Sequence, residues 1–147
     1  MRGFTLLELL IVLTIISLTL TLLTPALMDT TPTQVQATAR QIAAGARRAR
    51  SQAITTNHPT ALRFELAQRR FIVPGMSRHQ RLADGVHIKL RTATLLVSND
   101  GHASISFFPN GSSSGGNVHL SSGNHEASVE IDWFTGRVRI RDPRAGQ

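Results

Sequence analysis

The sequence predicts an α+β fold in which a long N-terminal helical spine precedes an antiparallel β-sheet domain. Three observations support this prediction. Residues 9–28 contain no charged side chain. Small apolar residues then recur at helical spacing over residues 35–54, and from Asn57 onward apolar residues recur at every second position. The 147 residues leave enough chain after the helices for one β domain of modest size.

The uncharged stretch has the length of a membrane span. Its 20 residues would rise about 30 Å as a helix, the thickness of a bilayer's hydrocarbon core. A buried core helix and a cleaved secretory signal are the alternatives, but the apolar run of a signal is usually only about 7–15 residues long. We therefore predict a transmembrane helix segment over residues 4–28, with Arg2 on the inner side and a kink or local unwinding at Pro25.

Glu8 is an ionisable residue inside this predicted helix, with leucines on both sides. A charged side chain at the centre of a membrane segment costs about 2.5–3.5 kcal/mol on insertion scales, and such residues are functional by default. The alternative is that Glu8 lies near the helix end, where its carboxylate reaches the lipid headgroups. That alternative does not explain why a carboxylate is needed there.

The residues around Glu8 carry a family resemblance. The segment RGFTLLE, residues 2–8, resembles the processing site of type IV pilins and type II secretion pseudopilins. The resemblance implies that a prepilin peptidase on the cytoplasmic side cuts between Gly3 and Phe4 and methylates the new amine of Phe4. Residues 1–3 would then be a leader peptide, shorter than family leaders usually are, and Glu8 would be fifth in the mature chain.

Cleavage after Gly3 would give Glu8 a role in assembly. It creates a free amine on Phe4, and two opposite charges about 4 Å apart attract by about 4 kcal/mol at an effective dielectric near 20. Because this attraction can form between subunits, Glu8 could register an incoming subunit against its neighbour's Phe4. This role for Glu8 is an expectation from the resemblance together with electrostatics.

The segment 29–56 is predicted to continue the spine as an amphipathic helix. Pro32 suits the first turn of a helix that restarts after a break near Asp29. Apolar residues then follow a heptad-like stripe: Val35, Ala39, Ile42, Ala46, Ala49 and Ala53. Four arginines lie largely off the stripe: Arg40, Arg47, Arg48 and Arg50. We prefer a solvated polar face to a nucleic-acid contact for these arginines.

Residues 57–142 are predicted to form the antiparallel β domain, with one apolar face per strand. The alternating positions are Leu62, Phe64, Leu66, Phe71, Val73, Val86, Ile88, Leu90, Leu95, Val97, Ala103, Ile105, Phe107, Val118, Leu120, Val129, Ile131, Trp133, Val138 and Ile140. Turns are indicated at residues 98–101 and 121–124, and the main loops at residues 76–83 and 109–117. Residues 143–147 are predicted to be a tail.

Two motifs near the C-terminus resemble one particular branch of the pilin and pseudopilin families. FFPNGSSSGG, residues 107–116, is similar to the F-x-P-x-G-x-x-x-G-G signature of the H-type minor pseudopilins and their FimT relatives, and DWFTGRVR, residues 132–139, resembles their closing hairpin. The family motif residues are Phe108, Pro109, Gly111, Gly115, Gly116, Thr135, Gly136 and Arg137. A phosphate-binding loop is the alternative, but no G-K-[ST] follows these glycines.

Composition argues against an enzyme. The chain has no cysteine, which excludes disulfides, thiolate metal sites and cysteine nucleophiles. The six histidines are scattered without metal-ligand spacing, and no nucleophile elbow occurs. The net charge is +7, and Lys89 is the only lysine beside fifteen arginines. We expect no catalytic residues, metal or cofactor, and the arginine excess fits genomic base composition as well as it fits an anionic partner.

The resemblance implies a minor pseudopilin of the type II secretion system, near the tip of a pseudopilus that supports export of folded proteins across the outer membrane. Implied partners are other minor and major pseudopilins, the prepilin peptidase and the inner-membrane secretion platform. The implied location is the bacterial inner membrane, crossed once, with the C-terminal domain in the periplasm. The alternative is a FimT-like type IV minor pilin that binds DNA for uptake or primes pilus assembly.

Three arginines separate these two functions. Arg137, Arg139 and Arg141 alternate along the last predicted strand and share one face. The GRVR run fits the GRxR sequence of FimT-like DNA binders, so these arginines are the DNA contacts of the alternative. We prefer cross-strand pairing with Glu130 and Asp132, because opposite charges across strands contribute about 0.2–1 kcal/mol and need no ligand.

Overall fold

The computed structural model describes most of the chain. The described residues are 5–28, 31–91 and 102–142, without the side chains of residues 19–28 and 31–32. They belong to two compact units, residues 1–30 and residues 31–147.

The first helix, α1, spans Leu6–Met28 and has 23 residues. Its backbone stays helical through Pro25, so the local unwinding predicted there does not occur, and the predicted kink stays a prediction. In the described part of the chain, no helix combines the length and the apolarity that crossing a bilayer requires. The transmembrane segment expected over residues 4–28 therefore stays a prediction.

The second helix, α2, spans Thr31–Thr56 and confirms the helix expected over residues 35–54. All six residues of its predicted stripe are buried, with at most 1% of each residue's surface exposed. Gly45 lies on the buried side as well, and a Cβ at this position would come within 2.9 Å of a methyl carbon of Val73. Because the side chains on this face are small, the sheets pack close to the helix backbone.

Eight strands, within the described residues, form two four-stranded antiparallel sheets. The first sheet has the order β3-β2-β1-β5, and the second has the order β4-β6-β7-β8. The strands are β1 Thr60–Glu65, β2 Arg70–Ile72, β3 Gln80–Arg81, β4 His87–Arg91, β5 His102–Phe107, β6 Gly116–Ser122, β7 His125–Ile131 and β8 Val138–Arg141. Helix α2 packs against strands of both sheets.

The alternating residues predicted for the strands supply most of the core. The buried ones are Leu62, Phe64, Phe71, Val73, Val86, Ala103, Ile105, Phe107, Val118, Leu120, Val129, Ile131 and Val138. The antiparallel arrangement is therefore confirmed. The division into two sheets was not predicted, because it depends on pairing between strands that are far apart in the sequence.

Several local predictions differ from the structure. Leu66 begins a 3-10 turn, Leu66–Gln68, instead of extending β1. The loop predicted at residues 76–83 contains the short strand β3, and the loop predicted at residues 109–117 ends where β6 begins. Trp133 lies outside β7 because Asp132 starts a turn. The predictions for Leu95, Val97, residues 98–101 and residues 143–147 lie outside the described residues.

A tight turn, residues 132–137, joins β7 to β8, and we call it the closing turn. One carboxylate oxygen of Asp132 accepts hydrogen bonds from the backbone N–H groups of Thr135 (2.7 Å) and Phe134 (3.1 Å) and from the Thr135 hydroxyl (2.8 Å). The pKa of Asp132 is lowered below its usual value of 3.8, mainly by the hydrogen bonds from Thr135. The bond from Phe134 and the charge of Arg137 make smaller contributions. An ionised Asp132 thus stabilises the turn.

The closing turn packs against a second loop, residues 108–116, which we call the glycine loop. Ser113 N–H donates to the Trp133 carbonyl at 2.8 Å, and the Ser113 hydroxyl donates to the Asp132 carbonyl at 3.0 Å. Gly136 has a φ of 60°, and a Cβ there would overlap the Gly111 carbonyl oxygen. A side chain at residue 136 is therefore excluded both by backbone conformation and by space.

Side chains of α2 fasten the C-terminal part of the chain to the helix. Arg50 Nε donates to the Gly111 carbonyl oxygen at 3.0 Å, and an Arg47 guanidinium nitrogen donates to the Val138 carbonyl oxygen at 3.3 Å. Nearer the start of the helix, Gln36 Nε2 donates to Asp142 at 2.9 Å. The solvated face expected for the arginines is confirmed for the exposed Arg40, Arg47 and Arg48, whereas Arg50 is half-buried.

We predict that Gly136→Ala destabilises the domain far more than Gly123→Ala. Both glycines have positive φ, but a Cβ at Gly123 would meet no atom within 4 Å. Gly123→Ala should cost about 1 kcal/mol for the left-handed conformation, and Gly136→Ala about 3 kcal/mol or more, because the Gly111 carbonyl must also move. Chemical denaturation of both variants measures the difference, and equal losses would contradict the close contact.

We predict that Thr135→Val raises the pKa of Asp132 toward 3.8, because the variant loses the hydroxyl donor and keeps the two backbone donors. A lowered pKa means that the ionised carboxylate stabilises the fold above its unfolded pKa and that this stabilisation is lost as the pH falls through the folded pKa. Carboxyl NMR titration measures the shift. Thr55→Val, which removes an exposed helical hydroxyl, is the control and should leave the pKa of Asp132 unchanged.

Candidate functional site

The family motif residues of the two C-terminal segments come together in the structure. The glycine loop and the closing turn meet along the contacts of Ser113 and Gly136 described above. Gly115 adds a third contact, since a Cβ there would lie 2.9 Å from the Trp133 Cβ. Within the glycine loop, the Phe108 N–H donates to the Ser112 carbonyl at 3.0 Å and the Gly111 N–H donates to the Phe108 carbonyl at 2.9 Å. Arg50, which the sequence did not single out as part of the junction, joins it to α2. Gly111, Gly115 and Gly136 thus share a place in the close contact between the two loops.

An open cavity of about 440 Å³ lies beside the closing turn. Its walls come from the start of β6, the end of β7, the turn and the start of β8. The lining residues are Gly115, Gly116, Asn117, Glu130, Ile131, Asp132, Trp133, Thr135, Arg137 and Arg139. Nine of these residues, including the two arginines and the two acids, were named by the sequence as motif, strand-face or alternating apolar residues. Asn117 was named only as the end of a predicted loop, and Trp133 only as an apolar strand residue.

Two aromatic side chains project from the closing turn. Trp133 is 68% exposed and Phe134 is 70% exposed. Their rings meet edge to face, with the centroids 5.5 Å apart. Since the preceding Asp132 fixes the turn with three hydrogen bonds, this pair is an exposed apolar surface on a constrained backbone. The sequence pattern gave no sign of this exposure, because Trp133 continues the period-two alternation of β7.

The arginines of β8 only partly follow the predicted pairing. Arg141 Nε lies 2.8 Å from the Glu130 carboxylate, which confirms one cross-strand ion pair. Asp132 does not form the second predicted pair, because its carboxylate accepts hydrogen bonds from the closing turn. In the part of the chain that the structure describes, Arg137 and Arg139 form no ion pair with a carboxylate. Both are exposed and line the cavity.

Glu8 lies in the first turn of α1 and is exposed. Its backbone N–H donates to the Thr5 hydroxyl at 3.3 Å and to the Thr5 carbonyl at 3.1 Å. Thr5 therefore caps the helix, and a glutamate three residues after such a cap also suits the positive end of the helix dipole. The sequence pattern that indicates this cap is T-x-x-E, residues 5–8. Gly3 and Phe4, the predicted processing site, lie outside the described residues.

Among the residues that the structure describes, no three histidine, aspartate or glutamate side chains lie together as metal ligands. The expectation that the chain has no catalytic or metal centre stays a prediction.

Two family descriptions match the sequence. The family described as "Type II transport protein GspH" matches residues 38–136, and the one described as "Prokaryotic N-terminal methylation motif" matches residues 1–24. Type II secretion system protein H of Xanthomonas campestris pv. campestris is 32% identical over 140 residues, which cover 95% of this chain and 82% of that protein.

Solved structures share the fold. The minor pseudopilin EpsH from the type 2 secretion system of Vibrio cholerae superposes with a TM-score of 0.60 at 11% identity, over 76% of this chain and 98% of that one. The type IV minor pilin FimU of Pseudomonas aeruginosa superposes with a TM-score of 0.55 at 15% identity, over 76% of this chain and 94% of that one. These likenesses confirm the pilin-like α+β fold.

The first family match covers more than half of the chain. It contains the whole glycine loop and all of the closing turn except residue 137. The methylation motif covers the segment around Glu8. The chain therefore belongs to the GspH family of type II secretion minor pseudopilins.

Proposed function

We propose that this chain is a structural subunit of the type II secretion pseudopilus, located near its tip, where it supports export of folded proteins across the outer membrane. The observation that carries the proposal is the family match over residues 38–136. The structure supports a role in presenting a surface: the motif glycines shape a junction between two loops, and the side chains beside it are held by hydrogen bonds to backbone atoms. The proposed partners are other minor and major pseudopilins and the inner-membrane secretion platform.

The match to the N-terminal methylation motif over residues 1–24 supports a membrane-anchored protein that faces the periplasm. We propose that residues 4–28 cross the inner membrane once, with the domain from residue 31 onward in the periplasm. The support is the uncharged run of residues 9–28 and the continuous helix of α1, Leu6–Met28. Prepilin peptidase is the proposed processing partner.

Glu8 is the proposed assembly residue within this segment. The carboxylate would pair with the free amine of a neighbouring subunit's Phe4 after cleavage at Gly3. Thr5 supports helix formation from the fifth residue onward through its hydroxyl. That cap uses the backbone N–H of Glu8, so the side-chain carboxylate is not needed for it, and the two roles can be separated by substitution.

We predict that Gly3→Val blocks maturation. The resemblance implies cleavage directly after Gly3, and we expect a branched side chain there to block the cut. The variant should therefore keep residues 1–3 and stay out of the filament. In the unsubstituted chain, mass spectrometry should find an N-terminus at a methylated Phe4. A mature N-terminus at any other residue would contradict the processing site.

We predict that Glu8→Ala and Glu8→Gln both abolish or weaken recruitment to the pseudopilus, because each removes the charge that would attract the amine. Both variants should insert into the membrane and fold normally, since the Thr5 cap needs only the backbone of residue 8. Copurification with the major pseudopilin measures recruitment. Thr5→Ala is the matched control: it removes the capping hydroxyl, keeps the carboxylate, and should be recruited. If Thr5→Ala lost recruitment and Glu8→Gln kept it, recruitment would depend on the helix cap and not on the Glu8 carboxylate.

A FimT-like role in DNA binding is the second candidate. The observation that favours it is the pair Arg137 and Arg139, exposed and without a carboxylate partner in the described residues. Each phosphate contact should add about 0.9 to the slope of log affinity against log salt for duplex DNA. We predict weak binding at low salt that is unchanged by Arg137→Gln/Arg139→Gln. Sub-micromolar binding that persists at physiological salt and collapses in this variant would instead select the DNA-binding function.

A further inference from the structure

The cavity beside the closing turn has the chemistry of a binding site. We propose that it binds an acidic segment of a partner protein, with an aspartate or glutamate carboxylate between Arg137 and Arg139 and an apolar neighbour of that residue against Trp133. The inference concerns the purified chain and holds with or without the assembly role proposed above.

The two arginines provide the charge for this site. Arg137 and Arg139 line the cavity and are exposed. Two carboxylates line the same cavity, but neither forms an ion pair with these arginines in the described residues. Glu130 pairs with Arg141 at 2.8 Å, and the Asp132 carboxylate, which feels the charge of Arg137, accepts three hydrogen bonds within the closing turn. A guanidinium binds a carboxylate through two parallel hydrogen bonds, which makes such a group the matching ligand.

The apolar side of the site is Trp133. Its backbone is held by the 2.8 Å bond from Ser113 to the Trp133 carbonyl, and its ring packs edge to face on Phe134. Gly115 lies against this wall, since a Cβ there would come within 2.9 Å of the Trp133 Cβ, so the residue next to Trp133 has no room for a side chain. Exposed tryptophan beside arginine is the combination that dominates the energetics of protein interfaces.

Charge and shape favour a protein segment over nucleic acid. The net charge of this surface is only +1, because its three arginines, Arg137, Arg139 and Arg141, face two carboxylates, Glu130 and Asp132. Duplex DNA presents a continuous row of phosphates, and its affinity depends on neutralising many of them. A cavity of about 440 Å³ instead suits one or two side chains. An isolated carboxylate with an apolar neighbour satisfies both features.

The full-length chain in detergent allows a direct test, because Trp133 is its only tryptophan. The probe is a fluorescein-labelled peptide that alternates glutamate and leucine, and the matched control peptide has glutamine in place of glutamate. We expect a saturable change in Trp133 emission with the acidic peptide and none with the glutamine peptide. A fluorescein-labelled DNA duplex is titrated in parallel.

Three variants locate the binding by peptide anisotropy. Arg137→Gln/Arg139→Gln should weaken acidic-peptide binding about tenfold or more, and Trp133→Ala should weaken it to a similar degree. Arg63→Gln/Arg81→Gln removes the same charge from two exposed arginines of the first sheet and should bind as the unsubstituted chain does. Circular dichroism checks that every variant is folded.

Four outcomes would overturn the proposal. They are no binding of the acidic peptide, equal binding of the glutamine peptide, equal weakening by the two double variants, and tighter binding of the DNA duplex that Arg137→Gln/Arg139→Gln abolishes. The last outcome would make the surface a nucleic-acid site. Loss of recruitment in Glu8 variants has no bearing on this result, so failure of the assembly role and failure of the binding site are distinguishable.

Discussion

The close packing of α2 against two sheets is the constraint on which the rest of the domain depends. The buried face of the helix consists mainly of alanines, with Gly45 and Ile42 among them, and it contacts strands of both sheets. The two sheets share no ladder in the described residues, so this helix is their common support. Extra methylenes in a well-packed core typically cost about 1–3 kcal/mol. A larger side chain on this face would therefore separate the helix from both sheets together.

The sequence was sufficient wherever structure depends on local periodicity. The stripe from Val35 to Ala53 predicted which side of α2 is buried, and period-two alternation predicted the inward residues of most strands, such as Leu62 and Phe64. Both patterns reflect which residues share a face, and that is fixed by helix and strand geometry. The same rule failed at Trp133, where the alternation continues although Asp132 has already turned the chain.

The sequence was insufficient wherever structure depends on a distant partner. Arg50 resembles the other arginines of α2 in the sequence, yet it donates to Gly111, and Arg47 donates to Val138. Arg69 likewise donates to the carbonyls of Ala83 and Val86 at 3.0 and 3.1 Å. These contacts give the arginines a role in the fold, although Arg47 and Arg69 stay exposed. The candidate cavity is lined instead by Arg137 and Arg139.

The hydrogen bonds from α2 to the C-terminal part of the chain have a consequence for the order of folding. Arg50 and Gly111 are 61 positions apart in the sequence, Arg47 and Val138 are 91 apart, and Gln36 and Asp142 are 106 apart. Long sequence separations slow folding, because large loops must close before the contacts form. During synthesis the alanine face of α2 emerges before every strand that it packs against, and its contacts with β7 and β8 form only when the C-terminal part of the chain follows. The small-residue face of this helix is therefore only partly covered until the last two strands have been made, and transiently exposed apolar surface of this kind favours association between incomplete chains.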